Sequence, residues 1–327
     1  MIILQDGNIE AVTEVGKRYG LTVIHNIRQS RLRGNVLNGA ARIAQHYKFS
    51  LSAVFKARPA APACIVVEDD LLFSPDFLDY FKSTAPLIER DPTVFIASAW
   101  NDNGFDGRVK DVNSLRRTDF FPGLGWLLSR QLYIQELEPL WPSEHWDHWL
   151  RSSAISKGRE IIYPQVPRSF HNGIVGTFMN MDTHNRYFRD IAYNRDNHVV
   201  WNKMAYLQGV EDVYEQRLQL LINSCIHVRS MKVLSSTTGA GKVHCIWISV
   251  DPEPAPNGLS EFQPIGRFFG IWHEHKRGSH KGVHEFYWKD RYVVLLNVFE
   301  SANTRGNYRN LMPSHAEIVK GNEFVLL

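Results

Sequence analysis

Three adjacent acids, Glu68-Asp69-Asp70, close the apolar run Ala63-Cys64-Ile65-Val66-Val67 and are the residues best placed to do chemistry. Carboxylates this close repel one another, so the cluster costs stability unless a cation or hydrogen-bond donors compensate. Hard divalent ions such as Mg²⁺ and Mn²⁺ favour oxygen ligands and often bridge one or two carboxylates to a substrate's phosphates. One reading is therefore a metal–diphosphate site. The other is a solvated turn whose acids favour the start of the following helix. Composition alone leaves the two even. A further acid, Asp147, lies in His145-Trp146-Asp147-His148-Trp149, shortly after Trp141-Pro142. Partial burial between the rings would improve it as a general base, whereas the plainer role is an acid at a helix start. A third candidate is Trp272-His273-Glu274-His275 with His280 and His284, which a zinc ion could use; a polar loop before a strand is the favoured reading there.

These residues need a scaffold, and the pattern along the chain is that of an α/β protein. Strands are expected at Ile2–Leu4, Leu21–His25, Ala63–Val67, Val94–Trp100 and Gly123–Ser129. Helices are expected at Ile9–Tyr19 and at Val36–Phe55, where Val36, Ala40, Ile43, Tyr47, Leu51 and Val54 recur every three or four residues. The continuous run at 63–67 predicts a parallel strand covered on both faces, with its acids at the carboxyl end where open α/β sheets bind ligands. Ser74 and Pro75 predict a helix start, with the helix running to about Thr84. Beyond about residue 195 the pattern changes, with a helix at Tyr214–Asn223 and strands at Val243–Val250 and Tyr292–Phe299. The prolines of 251–258 predict a loop. Two domains are expected, 1–198 and 199–327.

Composition narrows the function. The 327 residues are 44% apolar and 22% charged, near the globular average. A formal charge of +3 gives no concentrated basic face for nucleic acid. No apolar run approaches the roughly 20 residues that span a bilayer, and the N-terminus lacks the pattern of a signal peptide. Cys64, Cys225 and Cys245 are too few for a disulfide framework and lack CxxC spacing. Taken alone, these features lean cytosolic.

The runs VVEDDLLFSPDFLDYF, SAWNDNG, RTDFFPGLGWLL and WDHWLR followed by KGRE occur in that order. Together they resemble the β-1,2-N-acetylglucosaminyltransferases that extend mannose, a family including N-acetylglucosaminyltransferase I and the protein O-linked-mannose enzyme. The resemblance is strong over residues 1–190 and weak beyond, and Ser169 to Gly176, SFHNGIVG, looks more like the O-mannose enzyme.

The resemblance implies a GT-A type nucleotide-sugar-binding mixed sheet flanked by helices, followed by a smaller α+β domain. It implies inverting transfer of GlcNAc from UDP-GlcNAc to O2 of an α-mannose on a glycoprotein, with an O-mannosyl glycan favoured. The alternatives are the N-glycan enzyme and a catalytically dead glycan-binding protein. Asp70 matches the Mn²⁺ ligand, and Glu68 and Asp69 match acids contacting the donor. Asp6 and His46 match residues holding the uracil, although by itself His46 reads as a helix histidine packed beneath the sheet. Asp147 matches the base, and Arg159 a positioning arginine beside the donor. The stretch 170–182 matches a loop that orders over the donor, with Gly173 and Gly176 as its hinge. Asp147 and the three acids are expected across one cleft. Relatives also carry an earlier core strand with an Asp-Arg pair, preceded by a stem and membrane anchor, so a truncated chain of a Golgi-lumenal protein is expected.

Overall fold

The structure is a computed structural model that describes residues 1–27, 38–202, 204–236, 241–251, 260–274, 277–299 and 308–325. It is a mixed α/β protein with helices flanking mixed sheets. Two compact units interleave along the chain: residues 1–66 with 127–157, and residues 67–126 with 158–327. The expected division at 198/199 falls inside the larger unit.

In the first unit, β1 (Ile2–Asp6) pairs in parallel with β2 (Thr22–Asn26), joined through α1 (Glu10–Arg18). The close approach of α1 depends on Gly16, where a Cβ would lie 2.3 Å from Val23 Cγ2. Helix α2 (Gly39–Ala57) starts at Asn38, whose side chain accepts from Ala41 N–H at 2.8 Å, and buries Ala40, Ala44, Leu51 and Phe55 on one stripe. Val36, expected in this helix, lies outside the described residues. Strand β3 (Ala63–Val66) is half-buried rather than covered on both faces, because it ends its strand order with β7 (Trp126–Ser129) as sole neighbour. Turns of helix over 130–140 then lead to α5 (Trp146–Arg151).

In the second unit, β4 (Leu71–Phe73) pairs antiparallel with β9 (Ser169–His171). Helix α3 (Phe77–Arg90) begins after Ser74 and Pro75 and runs past Thr84 to Arg90, through Pro86. Its N-cap Asp76 makes no capping bond. The carboxylate instead receives Arg168 Nε, Asn194 Nδ2 and Trp201 Nε1, each at 2.8 Å, which explains the shifted start. Strand β5 (Val94–Ser98) is wholly buried and parallel to β8 (Glu160–Pro164), which pairs antiparallel with β6 (Leu115–Thr118).

The same unit holds a sheet in the order β10 (Ile226–Val228), β11 (Val243–Ile248), β13 (Arg291–Asn297), β12 (Val283–Trp288), with β14 (Ile318–Val319) also on β11. Its two faces follow the two-residue period of a strand. Ile246, Ile248, Val293 and Leu295 face α10 (Gln263–Phe269), while Cys245, Trp247, Val294 and Leu296 face α8 (Glu211–Ser224). Each such fully buried aliphatic side chain contributes roughly 1.5–3 kcal/mol. The proline loop falls almost wholly at 252–259, outside the described residues.

Candidate active site

Pairing of β4 with β9 sets Leu71 opposite His171 and brings two distant segments together at Asp70. Asn172 N–H donates to the Asp70 carbonyl at 2.8 Å. His171 Nε2 lies 3.2 Å from Asp70 Oδ2, and the imidazole is nearly buried while the carboxylate is 40% exposed. The hydrogen bond with His171 holds the Asp70 carboxyl below the usual range, outweighing the opposing effect of burial. Asp70 Oδ1 is buried and has no hydrogen-bond partner. A carboxylate with one anchored oxygen and one unused oxygen is fitted to receive a cation, so the donor set suits a divalent metal. Gly173 matters here for space rather than as a hinge: a Cβ would lie 2.5 Å from Asp70 Oδ2. Asp69 is exposed and Glu68 half-buried beside it. Arg159 enters β8 with its guanidinium 4.7 Å over the Phe95 ring.

The first unit positions the other candidates through α2. His46 Nε2 is 3.2 Å from the Leu4 carbonyl, which ties the imidazole to the strand ending in the exposed Asp6. The next residue, Tyr47, stacks on Trp146 at 4.0 Å, and Trp141 stacks on Trp146 at 6.0 Å. Trp141 Nε1–H donates to Ala44 O at 2.9 Å. These contacts fix the start of α5 and therefore Asp147. The residue before it, His145, is held at φ 49°, ψ 46°, a left-handed conformation that costs a non-glycine residue about 1–3 kcal/mol and gathers at functional sites. Asp147 pairs with Arg151 at 2.7 Å and is 35% exposed, so its setting is a charge pair and not the apolar pocket expected from its aromatic neighbours.

The sequence pattern of the GNT-I family matches residues 1–302. The chain belongs to the GNT-I family. It is 33% identical over 291 residues to the Arabidopsis thaliana alpha-1,3-mannosyl-glycoprotein 2-beta-N-acetylglucosaminyltransferase, covering 86% of this chain and 63% of that protein. The chain thus spans less than two thirds of that relative's length. This GNT-I family relative favours the N-acetylglucosaminyltransferase I alternative over the O-mannose preference suggested by SFHNGIVG.

Sequence reasoning missed several features of this GNT-I family chain. His171 was seen only as part of a loop, because its pairing with Asp70 spans 101 positions; the signal was a histidine two residues before a glycine in an otherwise apolar run. The histidine-rich stretch is not gathered for zinc among the described residues, and His275 lies outside them. His280 Nδ1 is 2.6 Å from Glu160 and Nε2 is 2.9 Å from Glu215, while His284 stacks on Phe262. Cys225 and Cys245 form a disulfide, which corrects the expectation of too few cysteines for one and reverses the cytosolic lean, since such bonds persist in oxidising compartments. His227 lies within 4.8 Å of both sulfurs, but a disulfide offers a metal no thiolate, and Trp247 Nε1–H occupies His227 Nδ1. Among the described residues, no helix is long and apolar enough to cross a membrane.

Proposed function

We propose that the chain is an inverting β-1,2-N-acetylglucosaminyltransferase with a GT-A type donor site. It would move GlcNAc from UDP-GlcNAc to O2 of an α-mannose on a glycoprotein. The acceptor is of the N-acetylglucosaminyltransferase I type, in preference to an O-mannosyl glycan. The observation that carries this reading is the GNT-I match across 1–302, which includes every residue assigned a role here. A Golgi-lumenal setting agrees with the Cys225–Cys245 disulfide.

In this reading Asp70 holds Mn²⁺, with its unpartnered Oδ1 available to the ion. The ion supplies positive charge for the diphosphate as UDP departs. Glu68 and Asp69 contact the donor, and Arg159 orients it. Asp6 accepts the uracil N–H, and His46, tied to Leu4 O, holds the ring beside it. The mannose O2 attacks the anomeric carbon from the side opposite UDP. Asp147 takes the hydroxyl proton as the new C–O bond forms. Arg151 keeps that carboxylate oriented. The decisive experiment incubates the chain with UDP-GlcNAc, Mn²⁺ and a terminal α-mannoside and identifies the product by NMR. A β-1,2-linked product whose formation stops in EDTA supports the reading; full transfer in EDTA, or an α-linked product, overturns it.

A further inference from the structure

We propose that His171 is a second protein ligand of the divalent cation, beside Asp70. This rests on the reading of Asp70 as the metal-holding carboxylate. The antiparallel pairing of β4 with β9 places the imidazole without help from any flexible segment. His171 is 6% exposed, and its ring packs on Phe188 with centroids 4.9 Å apart. The ring is therefore held in place before any ion arrives.

Its Nε2 stands 3.2 Å from Asp70 Oδ2. An octahedral ion with ligand atoms at about 2.1–2.4 Å holds neighbouring ligand atoms about 3.0–3.4 Å apart. The two atoms thus already have the spacing that adjacent ligands of one ion require. Gly173 keeps the approach open, since a Cβ there would lie 2.5 Å from Asp70 Oδ2 and 3.1 Å from His171 Cε1. Asp70 Oδ1 and His171 Nδ1 are both buried without hydrogen-bond partners, so neither group is committed elsewhere by its second polar atom. One imidazole nitrogen in the donor set has a chemical consequence. It favours Mn²⁺, Co²⁺ and Zn²⁺ over Mg²⁺ and Ca²⁺, which prefer oxygen alone. The rival role is a hydrogen bond that only orients Asp70 and puts no nitrogen on the metal.

Pulsed electron paramagnetic resonance of the 327-residue chain with Mn²⁺ and UDP, in a buffer free of nitrogen, separates the two roles. The proposal predicts echo modulation from a directly bound ¹⁴N in the unmutated protein. His171→Gln should remove that modulation, weaken Mn²⁺ binding by about tenfold or more, and narrow the preference for Mn²⁺ over Mg²⁺. If Mn²⁺ binds in a manner abolished by Asp70→Asn but shows no ¹⁴N modulation, His171 is not a ligand and the proposal is overturned while the Asp70 reading stands. If Mn²⁺ binding does not depend on Asp70, that reading fails and this proposal fails with it. The spectrum of the unmutated chain decides the matter even where the His171 variant folds poorly.

Discussion

The corner around Asp70 and the ionic core between β6, β8, β12 and α8 use the same residue types to opposite ends. In the core, Glu285 receives both Arg217 amines at 2.8 and 2.6 Å, Tyr214 OH at 3.1 Å and Tyr292 OH at 2.8 Å. Arg116 stands 3.6 Å away. Burial alone would push the Glu285 carboxyl up, but Arg116 and Arg217 reverse this and hold it well below the usual range. Glu160 is likewise shared by Arg117 Nε at 2.8 Å and His280 at 2.6 Å. Nothing is left over there for a ligand. Asp70 is 40% exposed, has one ring nitrogen beside it, and keeps a buried oxygen unused. Buried charges with every partner present are architecture, whereas a carboxylate kept short of partners is available for function.

The largest expected effect tests the under-partnered kind of acid in the other unit. Asp147→Asn should lower transfer by about 10² to 10⁴, the usual contribution of a general base, while Mn²⁺·UDP affinity stays nearly unchanged. Steady-state kinetics at saturating donor and acceptor, with calorimetry of UDP binding, check this; near-normal turnover would remove Asp147 from the chemistry. Next in size, Glu285→Ala should cost about 3–5 kcal/mol of stability, because Arg116 and Arg217 are left buried without their partner. Urea unfolding measures it, and a loss below about 1 kcal/mol would contradict the structural role.

The two regions were unequally legible in the sequence. Glu68-Asp69-Asp70 stood out because a strand-like apolar run stops abruptly at them, and Asp147 because tryptophans bracket it. The ionic core left no such mark: Arg116, Arg117, Glu160 and Glu285 read as ordinary surface charges until pairing between β6 and β8 and between β12 and β13 buries them. The start of α3 was misplaced because the Asp76 carboxylate is drawn to Arg168, Asn194 and Trp201, contacts that span 92 to 125 positions. Cys225 and Cys245 pair across a helix end and a central strand, which spacing alone does not disclose. Local pattern identified the elements; the partners that decide each acid's role come from long-range pairing.

Two smaller effects sharpen the contrast. Gly173→Ala crowds Asp70 Oδ2 and should weaken Mn²⁺·UDP binding by about tenfold, in line with the roughly 1–3 kcal/mol of overpacking, while the ionic core is untouched. Calorimetry that finds unchanged affinity would show that the space beside Asp70 is not used. The smallest effect is a pH dependence. Burial pushes the His280 imidazole down, but its hydrogen bonds to Glu160 and Glu215 win and raise its pKa above the unfolded value. A raised pKa gives stability that is fully present below the unfolded value of about 6.5 and lost as pH rises through the folded value. Glu215, held down to about 2, gives stability present above its unfolded value and lost only as pH falls toward that figure. Unfolding free energy should therefore decline from pH 6.5 toward pH 9, and His280→Gln should flatten that decline. An equal slope in the variant would show that His280 is not the group responsible.

The central claim is that Asp70 is kept short of partners in order to hold the donor's metal. Isothermal titration of Mn²⁺ in the presence of UDP, into the unmutated chain and into Asp70→Asn, tests it most directly, with thermal unfolding of both proteins alongside. Asn preserves the shape and removes the charge, so folding should be little changed while Mn²⁺·UDP binding falls by on the order of 10²-fold or more, several kcal/mol of metal–carboxylate attraction. Equal affinity in the two folded proteins would contradict the claim.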